Sequence, residues 1–101
     1  MSSRSETQET LQREIRAEKA GELARAVEQL EAALAALASH DAGAVRAPHV
    51  REDLLADARE RLWYVVIQRE AMGLRRHEVL YDVLRVPREV RFGMGPRRRA
   101  R

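Results

Sequence analysis

Apolar side chains recur at helical spacing through the first part of the chain. Beyond a mostly polar start they follow one another in alternating steps of four and three residues, at Leu23, Val27, Leu30, Leu34 and Leu37. Side chains at these steps line one stripe of an α-helix, as in the seam of a coiled coil. The pattern predicts a first long helix over residues 5–39. Its amino-terminal part is weaker, because only Leu11 and Ile15 stand in apolar register there.

A second apolar pattern begins after a polar turn that contains Gly43. Pro48 suits the first turn of a helix, where its missing N–H group is not needed, and Gly73 suits a helix end. The sequence between them predicts a second helix over residues 48–72. Its main apolar stripe consists of Leu55, Ala58, Leu62 and Val65.

The second predicted helix also carries Trp63, Val66 and Ile67 outside that stripe. A helix that is apolar nearly all round must be covered nearly all round, and a single partner helix cannot do this. We therefore expect the carboxy-terminal segment to fold back over it. We also expect a second copy of the chain to pack on these three side chains, giving a homodimer with a four-helix core.

Two weaker elements and a tail follow Gly73. A short third helix is predicted over residues 76–85 and a further turn over residues 87–91. Residues 93–101 hold two glycines, a proline and four arginines, a composition that cannot build a core, so we expect a disordered tail after a helical domain of residues 1–92. The expected fold class is all-α. Two long helices would form an antiparallel hairpin, with the third helix packed across its open end near Leu11 and Ile15.

The composition excludes several kinds of site and of membrane association. A chain of 101 residues corresponds to one domain, and the absence of cysteine excludes disulfides, thiolate metal sites and a cysteine nucleophile. The longest apolar run, residues 62–67, falls far short of the ~20 residues that span a bilayer. The polar sequence after Met1 does not form a secretory signal. We expect a cytoplasmic protein with no membrane partner.

Positive charge is concentrated at the carboxy-terminal end. Residues 85–101 hold seven arginines and one acid, Glu89, whereas the rest of the chain is net acidic. The last arginines are Arg97, Arg98, Arg99 and Arg101. A cationic arm of this kind binds a phosphate backbone weakly, without sequence preference and in a salt-dependent way. The alternative is a solvated terminus that has no partner.

A helix-turn-helix motif over residues 77–90 is disfavoured. Arg85 stands where such a motif usually has glycine in its turn, and Tyr81 stands where a small residue is needed. The second helix would also be cut short by Gly93, which leaves too little to fill a major groove.

No group of residues predicts catalysis or cofactor binding. His40, His49 and His77 are far apart, and the Glu-x-x-His pair of helical di-metal sites does not occur. Carboxylates four residues apart, as at Glu14 and Glu18, have arginines nearby in the sequence, which favours a solvated helix face over acid–base chemistry. The sequence predicts a protein that is not an enzyme and has no catalytic residues, no metal ion and no cofactor.

Three stretches of the chain resemble a small bacterial family of uncharacterised, all-helical proteins. They are residues 13–21 (Arg-Glu-Ile-Arg-Ala-Glu-Lys-Ala-Gly), residues 68–75 (Gln-Arg-Glu-Ala-Met-Gly-Leu-Arg) and residues 86–90 (Val-Pro-Arg-Glu-Val). The resemblance covers most of residues 13–92 and implies a helical fold. It implies no activity.

Arg69 and Arg75 stand near the end of the second predicted helix. An ion pair from Arg69 to Glu14 or Glu18 would tie the third helix to the hairpin, which is a structural role. The alternative is a small anion held by Arg69 and Arg75. The function we expect is that of a non-enzymatic protein–protein interaction or structural protein whose protein partner is unidentified. The alternative is a nucleic-acid-associated accessory protein that uses the basic tail.

Overall fold

The computed structural model describes residues 3–97, with side chains from residue 5 onward. Within that range the chain forms four helices and no strand: α1 (Ser3–Ala42), α2 (Pro48–Ala71), α3 (Glu78–Leu84) and α4 (Arg88–Arg91). The contacts between elements are dominated by the packing of α1 against α2. The prediction of an all-α protein built on two long packed helices, with short helices added, is confirmed.

Two contacts show that α1 and α2 run antiparallel. Asp41, near the end of α1, accepts hydrogen bonds from Arg51, near the start of α2. Gln29 lies earlier in α1 and accepts a hydrogen bond at 2.8 Å from Arg61, which lies farther along α2. The connection of residues 43–47 therefore closes one end of a hairpin, and its other end is open.

The core lies between the two long helices. Their buried residues are Ala26, Leu30, Ala33, Leu37, Ala58, Leu62, Val65 and Val66. The three alanines have small side chains, so the helix backbones approach closely at these positions. Most of the predicted stripe of α2 is buried, since Ala58, Leu62 and Val65 have no exposed surface, and its first member, Leu55, is partly buried against the core cluster.

The carboxy-terminal segment covers the closed end of the hairpin. Leu80 of α3 and Val90 of α4 are buried in the core cluster, and Glu89 of α4 is bonded to Arg51 beside the connection. The expected third helix across the open end, near Leu11 and Ile15, is therefore wrong. The closed half of the hairpin offers a continuous apolar surface, whereas residues 5–20 carry only two large apolar side chains among charges.

The amino-terminal half of α1 projects beyond the hairpin. α1 has 40 residues and α2 has 24, so α1 extends past the end of α2. Every residue from 5 to 20 is exposed. The molecule is elongated, with principal extents of 68 × 33 × 19 Å. We refer to residues 5–20 as the projecting half of α1.

The turn between α3 and α4 places an arginine in a left-handed conformation. Arg85 has φ 52° and ψ 51°, and the amide of Val86 donates to the carbonyl of Tyr81 at 3.0 Å. This hydrogen bond satisfies a carbonyl of the last turn of α3, as in a Schellman motif, where glycine is the usual residue. Arg85 therefore makes the turn without glycine. α4 has only four residues, too few for a helix that reads a major groove.

Residues 93–97 pack against α2. The amide of Gly95 donates to the carbonyl of Arg59 at 3.4 Å, and Met94 contacts the core cluster. A disordered tail was expected from residue 93 onward, but the first five residues of that tail pack against the protein. The remaining tail arginines, Arg98, Arg99 and Arg101, lie outside the described residues.

Candidate interaction surfaces

An ionic cluster joins three elements at the closed end. Arg51 of α2 donates from Nε to Asp41 Oδ1 at 2.8 Å and from Nη2 to Asp41 Oδ2 at 3.1 Å. The same guanidinium is bonded to both carboxylate oxygens of Glu89 in α4. His40 Nδ1 lies 3.7 Å from Asp41 Oδ1. The hydrogen bonds that Arg51 donates hold the pKa of Asp41 and the pKa of Glu89 below their ordinary values, and the same bonds, accepted by the two carboxylates, raise the pKa of Arg51.

A groove of about 790 Å³ lies beside this cluster, between the second half of α1 and the α3–α4 corner. Its apolar wall includes Leu34, Ala38 and Val83, and its rim carries Asp41 and Glu89. A general acid needs a carboxyl whose pKa is raised toward neutral pH. Arg51 lowers the pKa of both rim carboxyls instead of raising it. The arrangement therefore favours a structural role over acid–base chemistry.

Arg59 attaches α4 and the following glycine to α2. Its Nε donates to the carbonyl of Glu89 at 2.9 Å. The same guanidinium fills the space that a side chain on Gly93 would need, since an added β-carbon would lie 2.2 Å from Arg59 Nε. The absence of a side chain at residue 93 thus allows the chain to pass close to α2.

Arg97 is paired with acidic side chains of α2. Its Nη2 donates to Asp53 Oδ1 at 2.9 Å, and its backbone amide donates to Glu60 Oε2 at 2.9 Å. The predicted nucleic-acid tail contained Arg97, Arg98, Arg99 and Arg101. The only one of these that the structure describes is therefore placed against the protein itself.

Arg69 joins the end of α2 to the start of α3. Its Nη2 donates to the carbonyl of Arg76 at 2.9 Å, and its Nε donates to His77 Nδ1 at 3.1 Å. His77 Nε2 lies 3.4 Å from Glu70 Oε2. The expected tie between α2 and the third helix exists, but its partners are not Glu14 or Glu18.

Those two acids lie on the projecting half of α1, which the carboxy-terminal segment does not cover as far as residue 97. Both are exposed, and so is Arg75. The guanidinium of Arg69 is bonded to Arg76 and His77, and the anion site of Arg69 and Arg75 stays a prediction.

The predicted dimer interface is only partly exposed in the single chain. Val66 is 7% exposed and belongs to the core, so it is not available to a second copy. Trp63 is half-buried, and Ile67 is 42% exposed. Tyr64, which the sequence analysis did not single out, is 53% exposed and packs edge-on against Trp63 with ring centroids 5.9 Å apart. We define the outer patch of α2 as Trp63, Tyr64 and Ile67.

Arginine and aromatic side chains cluster around α4. The guanidinium carbons of Arg88 and Arg91 lie 5.5 and 5.3 Å from the centre of the Phe92 ring. Arg91 also lies 4.5 Å from the centre of the Tyr81 ring. Phe92 is 70% exposed. This cluster was not among the predicted sites, although the spacing of Arg88, Arg91 and Phe92 places them on one side of a helical turn.

Residues 3–97 contain neither a cluster of metal-ligating side chains nor a membrane-spanning helix. No three His, Asp or Glu side chains in that range are grouped so that they could hold a metal ion. No helix there combines the length and the apolar character needed to cross a membrane.

Comparison with known proteins identifies a family but not an activity. The model of a family of unknown function, DUF6665, matches residues 3–101, so the chain belongs to that family. No curated protein matches the chain, and no solved structure does. The family membership agrees with the resemblance to uncharacterised helical proteins.

Proposed function

We propose that this member of the DUF6665 family is a non-enzymatic, helical interaction protein and that it forms a homodimer. The observation that carries the proposal is the projecting half of α1, a helical segment that no other described element of the single chain covers. Its two large apolar side chains, Leu11 and Ile15, are 54% and 41% exposed.

The projecting half of α1 gains little stability from the chain it belongs to. All of its residues are exposed, so it behaves as a helix that is not supported by tertiary packing. Packing of an apolar face normally provides most of the stability of a helix in a protein, and this segment has only propagation from the packed part of α1. Burying Leu11 and Ile15 against another polypeptide would supply the missing contribution, roughly 1 kcal/mol for each side chain, because only about half of each is still exposed.

The outer patch of α2 supplies a matching surface. Tyr64 and Ile67 are three residues apart on a helix, so they lie on one side of a turn. Aromatic side chains are enriched at the centres of protein–protein interfaces. Trp63 is not among the side chains that pack on the core cluster, although it is half-buried.

The lengths of the two helices suggest how two copies fit. α1 exceeds α2 by 16 residues, which corresponds to about 24 Å of helix. In a two-fold symmetric pair each surface meets its counterpart twice. We infer that the projecting half of α1 from each copy lies along the outer patch of α2 of the other. The two hairpins would then form one four-helix core.

Sedimentation velocity at tens of micromolar tests the proposal. We expect a mass twice the 11.6 kDa of one chain. Changing Leu11 and Ile15 to aspartate should shift the population to monomer, because each carboxylate would be buried at the interface. The control changes Ala17 and Ala20 to aspartate, which adds the same charge on the other side of the same helix. A wild-type protein that is monomeric throughout this range would contradict the proposal, as would equal effects of the two double variants.

The alternative role, nucleic-acid association through the basic tail, stays a prediction. Three of its four arginines lie outside the described residues, and Arg97 is paired with Asp53. A separate and ordered group of arginines supports nucleic-acid binding at a different place.

A further inference from the structure

We propose that α4, the residue that follows it and Arg85 in the turn before it form a binding surface for single-stranded nucleic acid. The surface consists of Arg85, Arg88, Arg91 and Phe92, and we call it the arginine–phenylalanine surface. The inference does not depend on the homodimer, because it rests on different residues at the other end of the hairpin.

The first observation is an exposed aromatic ring with guanidinium groups beside it. Phe92 is 70% exposed, so most of its ring is open to solvent. The guanidinium carbons of Arg88 and Arg91 lie 5.5 and 5.3 Å from the ring centre. Unpaired bases stack on aromatic rings and on guanidinium planes, whatever the base, because each base has a flat π-face. The surface therefore offers stacking partners and positive charge within one helical turn.

The second observation is that the positive charge of the surface is exposed to solvent. Arg85, Arg88 and Arg91 are exposed, and none of them forms an ion pair among the described residues. Glu89 is the acid within α4, and it is bonded to Arg51 on the side facing α2. Asp82 and Glu78 of α3 are exposed and offset part of the charge. The outward side of α4 still presents arginines alone, as a surface that follows a phosphate backbone requires.

The third observation is that the fold holds this surface in place. Val90 has no exposed surface, and Arg59 donates to the carbonyl of Glu89 at 2.9 Å. α4 is thus fixed by the residues at its centre, while Arg88, Arg91 and Phe92 face away from the hairpin. A surface that is already ordered loses less side-chain and backbone freedom on binding than a flexible arm does.

The size of α4 favours a single strand over a duplex. Four helical residues span about 6 Å, too short to lie along a major groove. A membrane surface is also a poorer fit, because interfacial helices bury a long apolar face and this surface has a single exposed aromatic ring with arginines beside it. We therefore expect the ligand to be an unpaired stretch of DNA or RNA.

Fluorescence anisotropy with the full chain tests the inference. The probes are a labelled single-stranded DNA of about 20 nucleotides without self-complementarity, the duplex made from it, and the RNA of the same sequence. Each is titrated at low salt and at an ionic strength of about 0.15 M. Co-sedimentation with phosphatidylserine–phosphatidylcholine vesicles measures membrane binding in parallel.

Four variants separate the surface from general charge and from the tail. F92L removes the aromatic ring and keeps an apolar side chain. R88Q/R91Q removes two charges from the surface, whereas R13Q/R16Q removes two charges from the projecting half of α1 as the matched control. R98Q/R99Q/R101Q removes the charge of the last residues. Circular dichroism melting of each variant verifies folding, and R88Q alone replaces the double variant if the loss of the Arg91–Tyr81 contact unfolds it.

We expect the single strands to bind more tightly than the duplex. F92L should weaken single-strand binding by about fivefold or more, as the loss of a stacking partner does. R88Q/R91Q should weaken it by about tenfold and lower its salt dependence, and R13Q/R16Q should change it by less than about twofold.

Four results would overturn the inference. They are unchanged affinity in F92L, equal losses in the two double variants, binding that disappears only in R98Q/R99Q/R101Q, and vesicle binding without oligonucleotide binding. None of these readouts depends on whether the protein dimerises.

Discussion

Arg59 lies so close to Gly93 that a β-carbon on residue 93 would sit 2.2 Å from its Nε and 2.4 Å from its guanidinium carbon. This relationship fixes how the carboxy-terminal segment crosses α2. The Arg59 side chain bonds the carbonyl of Glu89 at the same time. The packing of α4 and the passage of residue 93 over α2 are therefore one structural feature.

Gly93→Ala should destabilise the fold by about 1 kcal/mol, because the new methyl group displaces the flexible Arg59 side chain and breaks its hydrogen bond to the carbonyl of Glu89. Urea unfolding followed by circular dichroism measures the change. In an Arg59→Ala background the same substitution should cost much less, since the colliding side chain is gone. If Gly93→Ala lowers the free energy of unfolding equally in both backgrounds, the contact with Arg59 is not the cause of the destabilisation.

Gly21→Ala is the opposite case and should stabilise the protein by about 0.5–1 kcal/mol. Gly21 lies inside α1, and an added β-carbon would meet only Arg25 Nη1 at an ordinary contact distance of 3.7 Å. The helix gains propensity without a clash. The same urea titration tests it, and a lower unfolding midpoint for Gly21→Ala would contradict this expectation.

Arg85→Gly should raise the free energy of unfolding by up to about 1 kcal/mol, because an L-residue at φ 52° is strained where glycine is not. Part of this gain is offset by the greater freedom of glycine in the unfolded chain. Arg85→Val should lower stability, since a β-branched side chain tolerates the left-handed conformation least. Thermal melts of the two variants give the order, and a valine variant as stable as the glycine variant would contradict it.

The Arg51 cluster should make stability fall in acid. Asp41 and Glu89 have ordinary pKa values of 3.8 and 4.5, and Arg51 lowers the pKa of each in the folded protein. The unfolded chain therefore takes up protons first. The stabilisation is fully present above the ordinary values and is lost as pH falls through the lowered ones. Urea midpoints measured from neutral pH down through this window should decrease.

Arg51→Gln should lower stability at neutral pH and flatten its dependence on pH between neutrality and acid. The variant leaves both carboxylates without their shared cation, so their pKa values return toward the ordinary ones. Arg46→Gln is the matched control, because Arg46 is exposed and forms no ion pair among the described residues. Parallel pH profiles for wild type and Arg51→Gln would show that the cluster contributes no pH-dependent stability.

The helices could be predicted well from the sequence, because helical spacing is a local property. Steps of three and four identified the stripe of α2 that the structure buries, at Ala58, Leu62 and Val65. The same reasoning assigned Val66 to a surface for a second copy, although it lies in the core of one chain. Spacing gives the side of a helix on which a residue lies. It does not tell which neighbour covers that side.

By itself, the sequence determined that the protein is helical, that a short connection joins its two long helices, and that positive charge is concentrated at the carboxy-terminal end. These features follow from the order of residues over a few turns. Only the tertiary structure decided that α3 and α4 cover the closed end of the hairpin, that Arg51 joins Asp41 to Glu89, and that Arg88, Arg91 and Phe92 share an outward face. Those relationships depend on which apolar surfaces of distant segments bury each other. This choice is made by the packing of the whole chain and cannot be read from local spacing.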